Sequence, residues 1–405
     1  MIRKDMRKNT DKESLAARNI RPYKIGIDAR MYGAEQTGIG NYIRNLIINL
    51  AQIDKSNQYV IFLSRKEFDK FQAPGENFKK IKTNSHWYSW REQAALPFNL
   101  LGERLDLAHF PHFNSPILYP GKSVVTIHDI TPFFFPGNKM NSLIRRAAFR
   151  QVFAASIKKA SAVIAVSAST KSDIIRHFGA KENKITVTYE GVSDDFKILP
   201  NRDKIREKIT AKYAIGKPFI FYTGVWRNHK NITGLIRAFA ILKKELGGAY
   251  QLVLGGKEDP FYPEVKKTIR DLRLEEDIIC PGFIPAGELC QFYNICSLFV
   301  IPSFYEGFGL VGLEAFACGA PVISSRITSL PEVLGESALY FDPKNHQEMA
   351  GVMKKVLTDD NLREKMIKSG QARAEKFSWR RMAEETYKIY SQILEKNYCN
   401  KKAKK

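Results

Sequence analysis

The chain has 405 residues, which is enough for two domains with separate hydrophobic cores. Its 44% hydrophobic and 26% charged residues are typical of an ordinary globular protein. The formal net charge of +22 favours an anionic partner such as nucleic acid, acidic lipid or a phosphorylated substrate, although a solvated basic surface would explain it equally well. No zinc-finger or RNP signature accompanies the charge, so we expect no nucleic-acid partner.

The cysteines and the N-terminus predict a cytoplasmic protein. No apolar run approaches the ~20 residues that span a bilayer, and residues 1–21 form a basic leader without the apolar segment of a secretory signal. The cysteines form no C-x-x-C pair and no metal-ligand spacing, so we interpret all five as reduced thiols: Cys280, Cys290, Cys296, Cys318 and Cys399.

Short apolar strands alternate with amphipathic helices along most of the chain, which predicts parallel sheets with helices on both faces. A polar stretch at Asp194–Lys208 interrupts this alternation, so we place a domain boundary there. We expect α/β domains over residues 22–198 and 199–377, an amphipathic helix over 378–397 and a basic tail over 398–405. The predicted strands are Ile25–Asp28, Tyr59–Leu63, Leu107–Phe110, Val124–His128, Ala162–Val166, Ile185–Val187, Phe219–Thr223, Tyr250–Gly255, Ile278–Cys280, Leu298–Ile301 and Pro321–Ile323.

The most informative segment reads FYEGFGLVGLEAFACGAPV over residues 304–322, where a strand is followed by a turn and a helix. Backbone N–H groups at a helix start favour an anion, and Gly307 and Gly309 would let a diphosphate approach the main chain. Glu306 and Glu314 could accept hydrogen bonds from the hydroxyls of a hexose and a ribose. On spacing alone, a turn residue and a buried or capping carboxylate are equally acceptable interpretations.

A second signal is the segment YTGVWRNHKN over residues 222–231, where two cations lie between a strand and a helix. Arg227 and Lys230 are placed to neutralise a diphosphate and to stabilise it as it departs. They could also be ordinary loop cations of a basic protein.

The first half of the chain offers weaker candidates. Gly38 and Gly40, in GIGNY, follow the first strand and permit close approach to a phosphate or a sugar. His128 ends a predicted strand and would face the cleft, where it could bind a hydroxyl of the donor or orient the acceptor. A simple turn and a structural histidine are the alternatives. Softer acceptor-side candidates are His109, His112 and Glu92.

Together these segments resemble the retaining glycosyltransferases of family 4, which have the GT-B fold. The resemblance covers the chain from about Tyr23 to about Leu394. EGFGLVGLE is similar to the E-x7-E motif of the family, and EAFACGAPVISS and SLPEVLGESALYFDP resemble its continuation. The stretches DARMYGAEQTGIGNYIRNL, TIHDI and YTGVWRNHKN also resemble the family, in the same order along the chain.

The resemblance implies two doubly wound, Rossmann-like domains that face a cleft, with a C-terminal crossover helix packed on the N-terminal domain. Residues 22–198 would lie on the acceptor side, and residues 199–377 would bind the nucleotide-sugar. Catalytic roles are implied for His128, Glu306 and Lys230. The implied donor-binding residues are Gly38, Gly40, Arg227, Lys230, Glu306, Gly307, Phe308, Gly309, Leu310 and Glu314, with Glu314 on the ribose and Arg227 and Lys230 on the diphosphate.

The resemblance also implies transfer that retains the anomeric configuration, with no cofactor and no metal, in agreement with the lack of a D-x-D motif. The HD dipeptide, the EQ of WREQ and the segment GVWRNHKN resemble mannosyltransferases of bacterial surface-polysaccharide assembly. GDP-mannose is therefore the favoured co-substrate, a UDP-sugar is the alternative, and the acceptor would be a saccharide or a lipid-linked sugar. A non-catalytic sugar-nucleotide or nucleic-acid binding protein is the rival from a different class.

An anionic membrane surface is a further candidate partner. Phe133, Phe134 and Phe135 precede a predicted helix, and this mixture of apolar and basic residues is typical of an element that lies on acidic lipid. It would place the protein peripherally on the inner face of the plasma membrane. The alternative is that the phenylalanines pack inside and the basic face is solvated. The basic residues of the helix are Arg145, Arg146, Arg150, Lys158 and Lys159.

Overall fold

A computed structural model describes residues 21–33, 37–84, 90–137 and 142–402 of the chain. In these ranges the backbone forms two parallel sheets. The first has seven strands: β1 (Lys24–Asp28), β2 (Gln58–Ser64), β3 (Phe78–Thr83), β4 (Leu107–Phe110), β5 (Ser123–Ile127), β6 (Ala162–Ala165) and β7 (Ile185–Val187). The second has six: β8 (Phe219–Thr223), β9 (Gln251–Gly255), β10 (Ile278–Gly282), β11 (Leu298–Ile301), β12 (Val322–Ser325) and β13 (Leu339–Phe341).

Helices connect the strands and cover both faces of each sheet, and apolar clusters fill the space between them. The α-helices are α1 (Thr37–Ile53), α2 (Arg65–Phe68), α3 (Trp90–Gly102), α4 (Thr131–Phe134), α5 (Leu143–Lys159), α6 (Ala168–Phe178), α7 (Arg202–Tyr213), α8 (Ile232–Glu245), α9 (Glu264–Asp271), α10 (Ala286–Ile295), α11 (Leu310–Ala317), α12 (Leu330–Leu334), α13 (His346–Thr358), α14 (Asp360–Ala374) and α15 (Trp379–Lys402). The predicted class, two doubly wound α/β domains with the GT-B arrangement, is confirmed.

The strand orders show where ligands should bind. The first sheet runs β3-β2-β1-β4-β5-β6-β7 and the second β10-β9-β8-β11-β12-β13. Strand addition therefore changes direction between β1 and β4 in one sheet and between β8 and β11 in the other. In such sheets ligands bind outside the carboxyl ends of the strands at this switch point. The loops after Thr223 and Ile301 mark that position in the second domain.

Two strands, β3 and β13, were not predicted from the sequence. β3 reads FKKIKT and lies at the edge of its sheet, where lysines reduce unwanted pairing but also hide the apolar alternation. β13 has three residues, LYF, and is too short to carry a period. Both are peripheral, so the predicted topology around the cleft does not depend on them.

Hydrogen bonds at the start of α6 and from the loop after β11 join the two domains. The carboxylate of Glu332, at the start of α12, accepts hydrogen bonds from the backbone N–H groups of Ala168 (2.6 Å) and Ser169 (3.0 Å). The positive end of the α6 helix dipole also stabilises a carboxylate at this position. Tyr305 donates its hydroxyl to Asp173 at 2.6 Å. These contacts, one of which comes from the glycine-rich segment, hold the two domains face to face.

The C-terminal helix, α15, packs on the N-terminal domain as the resemblance implies. The hydroxyl of Ser378 accepts a hydrogen bond from a backbone N–H of the first turn at 3.1 Å, which confirms the predicted cap. Trp379 and Met382 are buried in the apolar cluster of the first sheet. The helix continues to Lys402, so the prediction of a separate tail from residue 398 is wrong over 398–402.

Several predictions about the termini lie outside the described residues. Residues 1–20 of the expected leader are among them, as are residues 403–405.

Cys280, Cys290, Cys296 and Cys318 are free thiols. No helix in the described ranges combines the length and the hydrophobicity needed to cross a membrane.

We expect Met382→Ala to lower the free energy of unfolding by about 2–5 kcal/mol, because it leaves a cavity between α15 and the first domain. Met382 is 0% exposed. Denaturant titration of the whole chain measures the change. Lys388→Ala, on the exposed side of the same helix, is the matched control and should leave the midpoint within a few tenths of a kcal/mol. Equal effects of the two substitutions would contradict the packing of α15.

Candidate active site

The loop after β11, residues 303–309, touches the first domain through its backbone; we call it the glycine turn. The carbonyl oxygen of Gly307 accepts hydrogen bonds from the hydroxyls of Ser167 (2.7 Å) and Thr170 (3.2 Å). A Cβ atom at position 307 would lie 2.0 Å from the backbone oxygen of His128. No side chain fits there, so glycine is what allows the two domains to approach this closely at position 307.

Side chains next to Gly307 hold the glycine turn in place. Gly309 has a φ of +98° and leads into α11, and a Cβ atom there would lie 2.6 Å from Leu330. The ring of Phe308 is buried beside Phe377, with the ring centres 5.9 Å apart. Leu310 packs against the apolar clusters of both domains. The side chains of Phe308 and Leu310 thus support the turn, and a ligand would meet the backbone N–H groups at the start of α11.

Lys230 and Glu306 form an ion pair at the switch point of the second sheet. The Lys230 Nζ atom lies 2.7 Å and 2.9 Å from the two carboxylate oxygens, and Ser303 donates its hydroxyl to the same carboxylate at 2.6 Å. Burial raises the pKa of Glu306, but the Lys230 charge and these hydrogen bonds outweigh it and hold the pKa below its usual value. The N–H of Phe304 donates to the carbonyl of His229 at 2.7 Å, so the loops after β8 and β11 are fastened together.

Glu314 has a different electrostatic environment. Its side chain is buried in α11, where the hydroxyl of Tyr293 donates to it at 3.3 Å. Burial raises the pKa of Glu314 to about 8, with a further increase from the charge of Glu190. The two carboxyl groups of the E-x7-E segment are therefore in opposite states near neutral pH: Glu306 is ionised and Glu314 is largely protonated.

His128 lies directly after β5, across from the glycine turn, and both of its ring nitrogens are bonded. Nδ1 lies 2.9 Å from a carboxylate oxygen of Glu190, and Nε2 lies 3.0 Å from the carbonyl oxygen of Pro111. The ring of Tyr42 packs edge-on at 4.8 Å. The backbone oxygen of His128 lies beside Gly307, but neither ring nitrogen is available to a sugar hydroxyl in this arrangement.

The acceptor-side prediction for His109 is wrong. Its ring is 0% exposed and does not reach the cleft. Nε2 is bonded to the hydroxyl of Thr126 at 2.8 Å, and Nδ1 is bonded to the hydroxyl of Tyr390 on α15. Burial, together with the charge of His128, lowers the pKa of His109 to about 3. The residue is a neutral structural contact between the sheet and the crossover helix.

His112 lines a small cleft at the switch point of the first sheet, together with Asp28, Arg30 and Asn114. Arg30 forms an ion pair with Asp28 at 2.7 Å. Burial lowers the pKa of His112 to about 3, with contributions from the charges of His128 and Arg30. The acceptor-side role of His112 stays a prediction. Glu92 is in α3, but its side chain lies outside the described residues.

The remaining predicted residues lie in the loop after β8 and at the start of α1. Arg227 is exposed and directly precedes the 3₁₀ turn that ends at Lys230. Gly38 and Gly40 lie inside the first turn of α1, rather than in a turn before it. A Cβ atom at Gly38 would have nothing within 4 Å, so internal packing does not require glycine there. Close approach of a ligand remains the predicted reason for that residue.

Glu190 is the functional candidate that sequence reasoning missed. It follows β7 in the segment YEGV and binds His128, although it is 62 residues away in the chain. The available signal was an acidic residue before a glycine, just beyond the carboxyl end of a strand. That signal is weak, because its meaning depends on a partner from another strand.

Two facing doubly wound domains, with an ionised Lys–Glu pair and a helix start at the switch point, define a GT-B glycosyltransferase. The model described as Glycosyltransferase Family 4 matches residues 37–196, and the model Glycosyl transferases group 1 matches residues 204–373. O-antigen chain mannosyltransferase B of Escherichia coli is 30% identical over 373 residues, which cover 87% of this chain and 96% of that protein. The chain belongs to glycosyltransferase family 4.

Two further similarities agree with this assignment. Serotype-specific mannosyltransferase WbdA of Escherichia coli is 32% identical over 286 residues, which cover 68% of this chain and 34% of WbdA. This chain thus matches about a third of the length of that relative. Sucrose-phosphate synthase from Thermosynechococcus elongatus has the same fold, with a TM-score of 0.76 at 20% identity over 92% of this chain and 99% of that one.

We expect Glu314→Gln to raise the melting temperature of the free protein near pH 8 but not near pH 4.5. The pKa of this carboxyl is raised from 4.5 to about 8, so the folded chain keeps a proton that the unfolded chain has lost. Stability therefore falls as the pH rises through that window, and an amide has no such dependence. Thermal melts across the window test this, with Glu207→Gln on the exposed side of α7 as control. Parallel pH profiles for wild type and Glu314→Gln would contradict the assignment.

Proposed function

We propose that the protein transfers a hexose from a nucleotide-sugar to a saccharide or lipid-linked acceptor in surface-polysaccharide synthesis, with retention of configuration. Mannose from GDP-mannose is the favoured donor. The observation that carries the proposal is the Lys230–Glu306 ion pair at 2.7 Å, which lies at the switch point of the second sheet beside the glycine turn. The relatives named as O-antigen and serotype-specific mannosyltransferases support the choice of sugar and of pathway.

The second domain offers complementary groups for each part of such a donor. Lys230 and Arg227 carry positive charge toward a diphosphate, and the free N–H groups at the start of α11 add to it. Glu314 would accept hydrogen bonds from ribose hydroxyls, and Glu306 would accept them from the hexose. Lys230 can contact a phosphate oxygen and Glu306 at the same time, which would tie the leaving group to the sugar that it leaves.

The state of Glu306 favours direct transfer over a covalent intermediate. An ion-paired carboxylate that also accepts a hydrogen bond from Ser303 is a weak nucleophile. In the proposed step, the acceptor oxygen forms a bond to the anomeric carbon on the face from which the diphosphate departs. The acceptor proton passes to the departing phosphate oxygen. The protein positions the reactants and stabilises the developing charge.

The cations of the chain can supply the charge that a metal would otherwise provide, so we propose that transfer is metal-independent. The testable consequence is that activity persists in EDTA. The donor base is tested by thermal shift with GDP-mannose, UDP-glucose and an ADP-sugar, because a ligand that binds the native state raises the melting temperature. A shift with UDP-glucose but not GDP-mannose would replace the favoured donor with the alternative. Binding of a donor without transfer or hydrolysis would favour the non-catalytic rival.

We expect Lys230→Met and Glu306→Gln each to lower kcat about 100-fold or more, because both residues act where charge develops. Release of nucleoside diphosphate from the donor, measured by chromatography, gives the rate. Lys204→Met, on the exposed side of α7, is the control and should keep full activity. Melting temperatures show whether each variant is folded. Near-normal turnover in folded Lys230→Met and Glu306→Gln would defeat the proposal.

We also propose that the protein lies peripherally on an anionic membrane, but through other apolar residues than those that the sequence predicted. Phe134 packs on Tyr305, with ring centres 5.3 Å apart, but it keeps 40% exposure, and Phe133 packs on His177 and Phe178. The rings are thus partly covered by contacts within the N-terminal domain and at its boundary with the second, so we place the main lipid contact elsewhere. Larger exposed fractions are found at the start of α5.

The first turns of α5 combine exposed apolar and basic side chains. Leu143 and Ile144 are 79% and 81% exposed, and Arg145, Arg146 and Arg150 follow on the same helix, also exposed. Large exposed apolar residues beside cations are typical of a surface that inserts into the headgroup region of acidic lipid. This contact would bring the first domain, on the acceptor side, close to a lipid-linked acceptor.

We expect the protein to sediment with phosphatidylglycerol vesicles at low salt and to be released at high salt. Leu143→Ser with Ile144→Ser should weaken binding about tenfold or more, because two apolar side chains lose their burial in lipid. Phe283→Ser, which changes a 63% exposed side chain in the second domain, is the matched control. No sedimentation at low salt would end the membrane proposal without affecting the transferase assignment.

A further inference from the structure

Glu190 lies in the connection between the domains, and its backbone is fixed by the crossover helix. The residue is 6% exposed. A Cβ atom at the next position, Gly191, would lie 2.1 Å from the backbone nitrogen of Trp379. The N–H of Val192 donates to the carbonyl of Phe377 at 3.3 Å. The carboxylate is thus carried by a segment that is packed against residues 377–379, which suits a residue whose role is to hold another.

The hydrogen bonds of His128 determine where its protons are. The carbonyl oxygen of Pro111 can only accept, so the Nε2 atom that lies 3.0 Å from it carries a proton. The carboxylate of Glu190 can also only accept when it is ionised, so Nδ1 carries a proton as well. A ring with both protons is an imidazolium, and the Glu190–His128 contact is then a buried ion pair.

We propose that Glu190 is a positioning residue that holds the His128 ring in one orientation, with a proton on each nitrogen, and so places a fixed positive charge opposite the glycine turn. The inference rests on the proposed sugar transfer. His128 then acts through its charge and its C–H edge, rather than as a donor or acceptor that exchanges partners with the sugar. A cation held at this place favours the negative charge that develops on the departing diphosphate.

The other groups around His128 agree with this arrangement. Burial lowers the pKa of His128, but the hydrogen bond and charge of Glu190 outweigh it, with smaller contributions from Pro111 and Asp129, so the pKa is raised overall. The neighbouring imidazoles of His109 and His112 have their pKa values lowered to about 3 and are neutral.

The remaining neighbours are Tyr42, whose ring edge faces His128, and Glu314 from the second domain, which interacts electrostatically with Glu190. The site therefore holds one imidazolium, on the ring that Glu190 binds.

The direct test is the protonation state of His128 in the wild-type chain and in Glu190→Gln. Selective ¹³C labelling of histidine gives resolved ring signals, and loss of one signal in His128→Asn assigns the residue. We expect a protonated ring at about pH 7 in the wild type and a neutral ring in Glu190→Gln, because burial then lowers the pKa without the opposing charge. A neutral His128 in the wild type, or the same titration in both proteins, would overturn the inference.

Steady-state kinetics gives a second test, because a purely structural role of Glu190 would not change the pH dependence of kcat. We expect Glu190→Gln to lower kcat about tenfold or more at about pH 7, to leave KM for the donor within about threefold, and to regain activity as the pH is lowered. Glu190→Asp, which keeps the charge, should restore most of the activity, and Glu207→Gln is the surface control.

Equal losses at every pH in Glu190→Gln and Glu190→Asp would show a structural role and contradict the inference. The NMR titration does not need turnover. A wild-type chain without transferase activity would therefore refute the proposed function while leaving the state of His128 measurable.

Discussion

The backbone contact at Gly307 is the constraint on which the site depends. Two hydroxyls of the first domain bind its carbonyl oxygen, and its Cα lies against the backbone oxygen of His128. This one contact fixes the glycine turn of the second domain relative to the carboxyl end of β5 in the first. Glu306 of that turn pairs with Lys230, and Glu314, whose pKa is raised to about 8 by burial, lies in the middle of the helix that follows the turn. In the proposed transfer, donor and acceptor groups would meet at this edge.

Electrostatics divides the cleft into regions of different charge. Lys230 keeps Glu306 ionised by a direct contact, whereas Glu314 has Tyr293 as its partner and stays largely protonated. On the other wall, Glu190 holds His128. The Lys230–Glu306 and His128–Glu190 pairs are thus formed before a ligand arrives. Because these pairs are preorganised, little reorganisation is needed when charge develops on a leaving group. The net charge of +22 agrees with an anionic donor but does not locate it.

Sequence reasoning identified what depends on local pattern and on strand ends. Alternating apolar segments predicted eleven strands and the parallel class. The residues after β8 and β11 were predicted to share one site, because ligands bind at the carboxyl ends of parallel strands. It failed where the decisive partner is distant. His109 was assigned to the acceptor side, but it is covered by Tyr390, 281 residues later in the chain. Glu190 was overlooked for the same reason, because His128 comes from a different strand.

The phenylalanines at 133–135 give the same lesson for surfaces. Their composition suits lipid as well as a domain boundary, and the pattern alone does not separate the two. In the structure, His177 and Tyr305 pack beside two of the rings, while Phe134 keeps 40% exposure. Burial of an apolar residue depends on which elements meet, and the contact between the two domains is a property of the whole fold rather than of the segment.

The most direct measurement of the central claim is kcat/KM for Gly307→Ala beside Gly287→Ala, where an exposed glycine of α10 has nothing within 4 Å of its would-be Cβ. A methyl group at 307 has no room against the backbone oxygen of His128, so the two walls of the cleft must separate. The account predicts a fall in kcat/KM of about tenfold or more in Gly307→Ala, with donor-induced thermal stabilisation retained and Gly287→Ala unaffected. Unchanged kcat/KM in Gly307→Ala would contradict it.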